Sequence, residues 1–220
     1  MPSAVQTEPL LPGVILRPVR GHHAFENCVE QLGTAIRLGL YPPGTLLPPE
    51  RDLAERMSVS RATLREAIAA LRQAGLVQTT RGRGGGTVVQ RRPTRRKSAA
   101  RAALRGRAAE LSDSLRFRAV VEPGAAALAA GRDLDAGMED LLRDCLDAAS
   151  AGTDGPGHRQ LDSRLHLAIA AASGSPLIIE AVTHVQADLD DMLHAIPVLP
   201  VNISHSAAQH RSIVHAILNR

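Results

Sequence analysis

The sequence predicts a mainly α protein in two parts, a small basic unit of helices with one β-hairpin and then an all-α helical bundle. Three observations lead there. The 220 residues hold only two Phe, one Tyr and no Trp, so Ala, Leu, Val and Ile must fill the core, which favours packed helices. The charge is split: residues 1–107 carry 18 Lys+Arg against 7 Asp+Glu, a net +11, while residues 108–220 carry 8 against 15, a net −7. And "VSRATLREAIAALRQAGLVQTTRGRGGGTVV" puts a helical stripe, two short alternating runs and a glycine cluster within residues 59–89.

In the basic half, Phe25, Cys28, Val29, Leu32 and Ile36 recur at helical spacing, and Gly39 with Pro42-Pro43-Gly44 closes that helix. A second, short helix is predicted from about Pro49 to Met57, burying Leu53, Ala54 and Met57. Ser58-Val59-Ser60 makes a tight turn, with Ser60 placed to cap a third helix that Gly75 terminates. Leu64, Ala67, Ile68 and Leu71 face inward there, leaving Arg61, Arg65 and Arg72 together on the other face. Helix, short helix, turn, helix is the helix-turn-helix order, whose last helix lies in the major groove. Arg61 and Arg65 sit in its first turns, and a guanidinium fork suits guanine edges or phosphate. "LVQTT" and "TVV" read as two strands joined by "RGRGGG", a wing whose tip has little side-chain bulk to keep it from a phosphate chain. Arg81 and Arg83 flank that tip around Gly82.

"PGTLLPPERDLAERMSVSRATLREAIAALRQAGLVQTTRGRGGGTVV" resembles the winged-helix domain of GntR-family bacterial transcription regulators, over about residues 22–89. The resemblance implies that Arg51, Arg61, Thr63 and Arg65 contact double-stranded DNA, with Arg81 and Gly82 at the wing tip; Ser60 and Arg83 complete the candidate set. Glu66 belongs to the same motif and is expected to hold arginines in place, since a carboxylate facing phosphate would repel it. Pro49 stands where many relatives carry a Ser able to cap the second helix.

Residues 1–21 are expected to be a tail, 22–90 the winged domain and 91–101 a basic linker. Residues 102–220 are read as the effector and dimerisation domain. "QRRPTRRKSAARAALRGRAA" (90–109) has eight basic residues and no acid, and suits phosphate contact or a hinge. Beyond it helices are predicted at about 102–131, broken or kinked at Pro123, then 135–150, 157–173, 176–195 and 204–218. Seven of the nine histidines lie between 158 and 215. Asp162 and His166 form an i, i+4 pair whose side chains share one helix face and can share a metal ion, and His210 offers a third donor; a plain surface hydrogen bond is the alternative. His158, His184 and His194 read as solvated or packing residues, and His205 and His215 as facing elsewhere. Cys28 and Cys145 read as buried thiols.

"RAVVEPGAAALAA", "LDSRLHLAIAAASGSPLI" and "SAAQHRSIVHAI" are similar to the FCD effector domain of the family's FadR branch. That likeness implies a divalent metal (zinc first, nickel or manganese as alternatives) held by Asp162, His166 and His210. A fourth ligand would come from a later helix. The chain stops at Arg220, so the expectation is either a truncated sequence lacking the last helix or three ligands and water. Arg118 falls near an Arg that faces the pocket in relatives; it is a candidate effector contact, or simply the partner of Glu122.

The expected function is a ligand-responsive regulator, acting as a repressor, that binds a palindromic operator as a homodimer. Its effector would be an organic acid or acyl compound. The other classes weighed are a metal-dependent enzyme on Asp162, His166 and His210, and a sequence-indifferent architectural DNA binder. No motif supplies a base or nucleophile beside the three donors, and the only lysine, Lys97, lies in the linker, which excludes a Schiff-base enzyme. No secretion signal and no apolar run of membrane length is visible, so a bacterial cytoplasmic, nucleoid-associated protein with no membrane partner is expected.

Overall fold

The computed structural model describes residues 10–19, 23–80, 82, 85–90, 106–151, 156–193 and 200–219. It is mainly α, and it divides into two compact units, a helical one with a hairpin from the first part of the chain and an all-helical one from the second.

In the first unit α1 (Leu10–Ile15), α2 (Ala24–Arg37), α3 (Glu50–Arg56) and α4 (Arg61–Gln73) precede β1 (Val77–Thr80) and β2 (Gly86–Val89). The predicted inward stripes are the buried ones: Cys28, Leu32 and Ile36 on α2, Leu53 and Ala54 on α3, Leu64, Ala67, Ile68 and Leu71 on α4. Helix ends follow the caps. Gly75 takes φ +72°, and the amide of Leu76 donates to the Leu71 carbonyl while that of Gly75 donates to Arg72, the pairing that closes a helix on a left-handed residue. The turn between α3 and α4 repeats this closure without glycine. Ser58 stands at φ +53°, and the amides of Ser58 and Val59 donate to the carbonyls of Glu55 and Ala54. At the start of α4 the Ser60 hydroxyl accepts from the Thr63 amide at 3.0 Å. Pro49 caps α3 with no side-chain hydrogen bond, as its sequence position predicts.

Two features of this unit differ from the reading of the sequence. The expected tail contains α1, in which Leu11 and Ile15 are buried, as is Leu16 just after it, and the following segment is tied down by the Val19 amide donating to the Met57 carbonyl and the Arg17 amide to Gln31 Oε1. The hairpin also gains a short third member. Its strands pair Val77 with Val89 and Thr79 with Thr87, and Leu46 bridges Val88 from the other side, with the Leu47 amide donating to Thr87. β2 is therefore paired on both edges, and the wing is anchored to the segment leading into α3.

The second unit is built from α5 (Ala108–Ala130), α6 (Ala136–Ala151), α7 (Pro156–Ala172), α8 (Pro176–Leu193) and α9 (Pro200–Leu218). α7 is its centre. It packs against α5, α6 and α8, and residues 165–173 are buried without interruption, so this helix is apolar on nearly all sides. α9 packs on α5 and α6. Of the break or kink expected at Pro123, the break is absent: α5 runs through that residue to Ala130. Both cysteines are buried and free, and burial pushes both thiols up from their usual range. Among the described residues, no helix is long and apolar enough to cross a membrane.

Candidate DNA interface and effector site

The first turn of α4 is exposed at Arg61 and Arg65, while Thr63 is half-buried and bonded to Ser60. Arg65 does not float: its Nε donates to Glu50 Oε2 at 2.8 Å. The carboxylate that steadies this arginine is thus Glu50 on α3 and not, as expected, Glu66, which is exposed. Sequence spacing could not have chosen between them, because Glu50 is 15 residues away and reaches Arg65 only through the packing of α3 on α4. Arg51 is exposed and bonds its neighbour Asp52 at 3.1 Å. At the wing tip Gly82 is exposed with φ +110°, a conformation that favours glycine. Arg81 and Arg83 lie outside the described residues, as do the linker 91–101 and His194.

In the second unit the structure brings Asp162, His166 and His210 together. Each offers a donor atom within 4.8 Å of the others'. Asp162 Oδ2 lies 3.8 Å from His166 Nε2, and its Oδ1 lies 3.7 Å from His210 Nε2. The two imidazoles meet edge to face, 5.1 Å between centroids. Both histidines are buried, and Asp162 is partly exposed. Burial holds His210 below the ordinary histidine range despite the pull of Asp162 in the other direction. Two nitrogens and a carboxylate oxygen are the donor set of a tetrahedral zinc-type site, where donors stand roughly 3.3 Å apart, so atoms within 4.8 Å of one another would close by up to about 1.5 Å to seat an ion. The set fits a divalent metal.

Behind His166 stands a residue the sequence offered only as a partner for Arg118. Glu122 Oε2 accepts from Arg118 Nε at 2.7 Å and faces His166 Nδ1 at 3.1 Å, and its Oε1 accepts from Gln186 at 2.6 Å. Gln186 in turn accepts from Ser163 at 2.9 Å. A neutral His166 therefore carries its proton on Nδ1, toward Glu122, and presents Nε2 as a lone pair. Arg118 Nη2 holds that lone pair at 2.8 Å, so an ion and Arg118 have claims on the same nitrogen.

Burial would raise the Glu122 carboxyl. His166 as hydrogen-bond donor and, when protonated, as a charge, together with Arg118, outweighs burial and brings it down to about 2. A carboxyl lowered from 4.5 contributes stability above pH 4.5 that is lost as pH falls through about 2. Glu122→Gln is expected to destabilise the protein by about 2–3 kcal/mol at pH 7, or roughly 5–10 °C in Tm. The gap to the wild type should shrink to less than half at pH 3, measured by thermal unfolding at both pH values.

Arg118, Glu122 and His166 also line a cavity of about 540 Å³, walled otherwise by apolar side chains of α5, α7, α8 and α9. His166 is common to this cavity and to the three-donor cluster. His158 is buried, which suits a packing residue, whereas His184, His205 and His215 are exposed.

Residues 25–89 match the family described as "Bacterial regulatory proteins, gntR family", and residues 113–220 match the FCD domain. The chain is 32% identical over 200 residues to the putative HTH-type transcriptional regulator RmpR of Mycobacterium gastri, covering 86% of this chain and 70% of that protein. It is 32% identical to the HTH-type transcriptional regulator LutR of Bacillus subtilis over 68% of each. It is also 28% identical to the Glc operon transcriptional activator of Escherichia coli, over 89% of this chain and 80% of the other.

Proposed function

This chain belongs to the GntR family as a DNA-binding transcriptional regulator with an FCD domain, not an enzyme, and we propose that it is a ligand-responsive repressor of the FadR branch. In this reading it binds a palindromic operator as a homodimer in the bacterial cytoplasm, associated with the nucleoid. Residues 22–90 read DNA: Ser60, Arg61, Thr63 and Arg65 at the head of the recognition helix, Arg51 beside it, and Arg81, Gly82 and Arg83 on the wing. Residues 102–220 sense a small carboxylate-type metabolite and carry the dimer contact, joined to the reader by the basic linker 91–101.

The observation that carries the reading is the joining of two sites at His166. A donor set for a divalent ion, zinc before nickel or manganese, shares that residue with a cavity at whose polar end stands Arg118. Burying two histidines beside a carboxylate costs desolvation, which a bound ion would help to offset. Occupancy of that site would shift the DNA affinity of the reader by a coupling of about 1–3 kcal/mol.

In vitro selection from random duplexes tests the reader and its symmetry together. The expected product is one sequence with two inverted half-sites whose centres lie about one helical turn, roughly 10 base pairs, apart. Enrichment of no sequence at all, with binding that depends only on salt, would leave an architectural DNA binder instead.

A further inference from the structure

The three donors stand on α7 and α9, yet the ring of His166 is set from helices that supply no donor. α8 buries Ile179, Val182, Val185, Leu189 and Met192 together with two polar residues, Gln186 and Asp190. Gln186 is only 3% exposed, and an amide taken that far from water costs free energy unless both its ends are bonded. Both ends have a partner. The oxygen accepts from the Ser163 hydroxyl at 2.9 Å, and the nitrogen donates to Glu122 Oε1 at 2.6 Å. The amide fits only this way round: a carboxylate accepts and does not donate, so a turned amide would set oxygen against oxygen.

This chain of bonds leaves α7 at Ser163, crosses α8 at Gln186 and α5 at Glu122, and returns to α7 at His166 Nδ1. Ser163 directly follows the donor Asp162, so the loop begins and ends beside metal-binding groups. Within it Gln186 anchors Glu122 Oε1. The other oxygen, Oε2, is claimed twice, by Arg118 Nε at 2.7 Å and by His166 Nδ1 at 3.1 Å. A glutamate carboxylate turns easily about its last bond. Held at Oε2 alone, it would turn toward Arg118, which is closer and always charged, and Nδ1 would lose its acceptor. The ring proton would then be free to sit on Nε2, the atom that must offer a bare lone pair to an ion.

We propose that Gln186 is a positioning residue for His166: through Glu122 it keeps the ring proton on Nδ1, so that α8 governs metal affinity without contributing a donor. The proposal rests on the reading of Asp162, His166 and His210 as a metal site.

Gln186→Met keeps the length of the side chain and removes both bonding ends. In the full chain it is expected to lower zinc affinity by about 10–100-fold in chelator competition, with helical content by circular dichroism unchanged. Ser163→Ala, which removes only the outermost link, should lower it by a smaller factor. Nitrogen NMR spectra of the histidine rings, taken without metal at about pH 8.5 where an ordinary imidazole is neutral, give the second readout. His166 should hold its proton on Nδ1 in the wild type and shift toward the Nε2–H form in Gln186→Met. A loss of packing alone would lower Tm and leave the tautomer as it was. Zinc affinity within about twofold of the wild type, or an unchanged tautomer, would overturn the proposal. Should Gln186→Met not fold, the same two readouts on Ser163→Ala decide it, an unchanged tautomer again counting against it. The metal reading fails separately. Zinc bound by neither protein, with the tautomer still shifting, would remove the ion and leave Gln186 as the residue that sets His166.

Discussion

Arg61→Ala combined with Arg65→Ala is expected to weaken binding to the selected operator by about a hundredfold or more, with the fold intact. Both side chains are exposed at the first turns of α4, so their removal leaves no cavity, and the cap that starts the helix, Ser60 to the Thr63 amide, is untouched. A bidentate contact from arginine to a guanine edge is worth about 1–3 kcal/mol, so two such contacts amount to about 2–6 kcal/mol, roughly one and a half to four powers of ten. Arg65 should account for the larger share. Glu50 holds its Nε at 2.8 Å, which fixes the direction of the fork before DNA arrives and reduces the side-chain entropy that binding must remove. The measurement is fluorescence anisotropy against the selected operator and a scrambled duplex at several salt concentrations. A reader of bases loses discrimination between the two duplexes when mutated. A phosphate contact instead loses affinity for both equally and lowers the salt slope by about one per residue. Unchanged affinity of the double variant for both duplexes would remove α4 from the interface.

The winged unit was legible because its signals are local. Ser60 and Gly75 mark the two ends of α4 within its own sequence, and the buried Leu64, Ala67, Ile68 and Leu71 obey helical spacing. α1 was not legible for the converse reason. "LLPGVI" carries a proline and a glycine in six residues and shows no period; its order comes from burying Leu11, Ile15 and Leu16, which no local rule reports. Pro123 shows a local rule overridden. Its missing amide costs one hydrogen bond within α5, but the helix is held from outside by packing on α7, α8 and α9, and it continues.

The same distinction divides the proposed effector site. Asp162 and His166 could be paired from spacing alone, since four residues on one helix bring side chains together. Glu122 could not be placed as it stands here. Its partners come from α5, α7 and α8, with Arg118 four residues away but Gln186 64 away. Only the packing of three helices makes that carboxylate the group that fixes the His166 ring. Glu50 is the parallel case in the reader, where a carboxylate fixes an arginine from a neighbouring helix. In both sites the residues that would touch the ligand were visible in the sequence, and those that orient them were not.

Purified protein is expected to carry close to one equivalent of a divalent metal, and Asp162→Ala to lose it, with affinity down at least about a hundredfold. Asp162 is the centre of the donor set: its two oxygens face the two histidines at 3.8 and 3.7 Å, and it is the only carboxylate of the three. Removing it leaves two neutral imidazoles without the negative charge that offsets a buried dication. The protein should still fold, because Asp162 is partly exposed. Arg118→Met sharpens the test. Arg118 holds the His166 nitrogen that an ion would take, so its removal withdraws a competitor and a nearby positive charge, and metal should be retained or bound several-fold more tightly. Mass-spectrometric metal content and chelator competition on the wild type and both variants read all of this. Metal absent from the wild type, and not taken up on titration with zinc, nickel or manganese, would reduce Asp162, His166 and His210 to a buried polar contact. The proposed effector would then be left with the Arg118 end of the cavity alone.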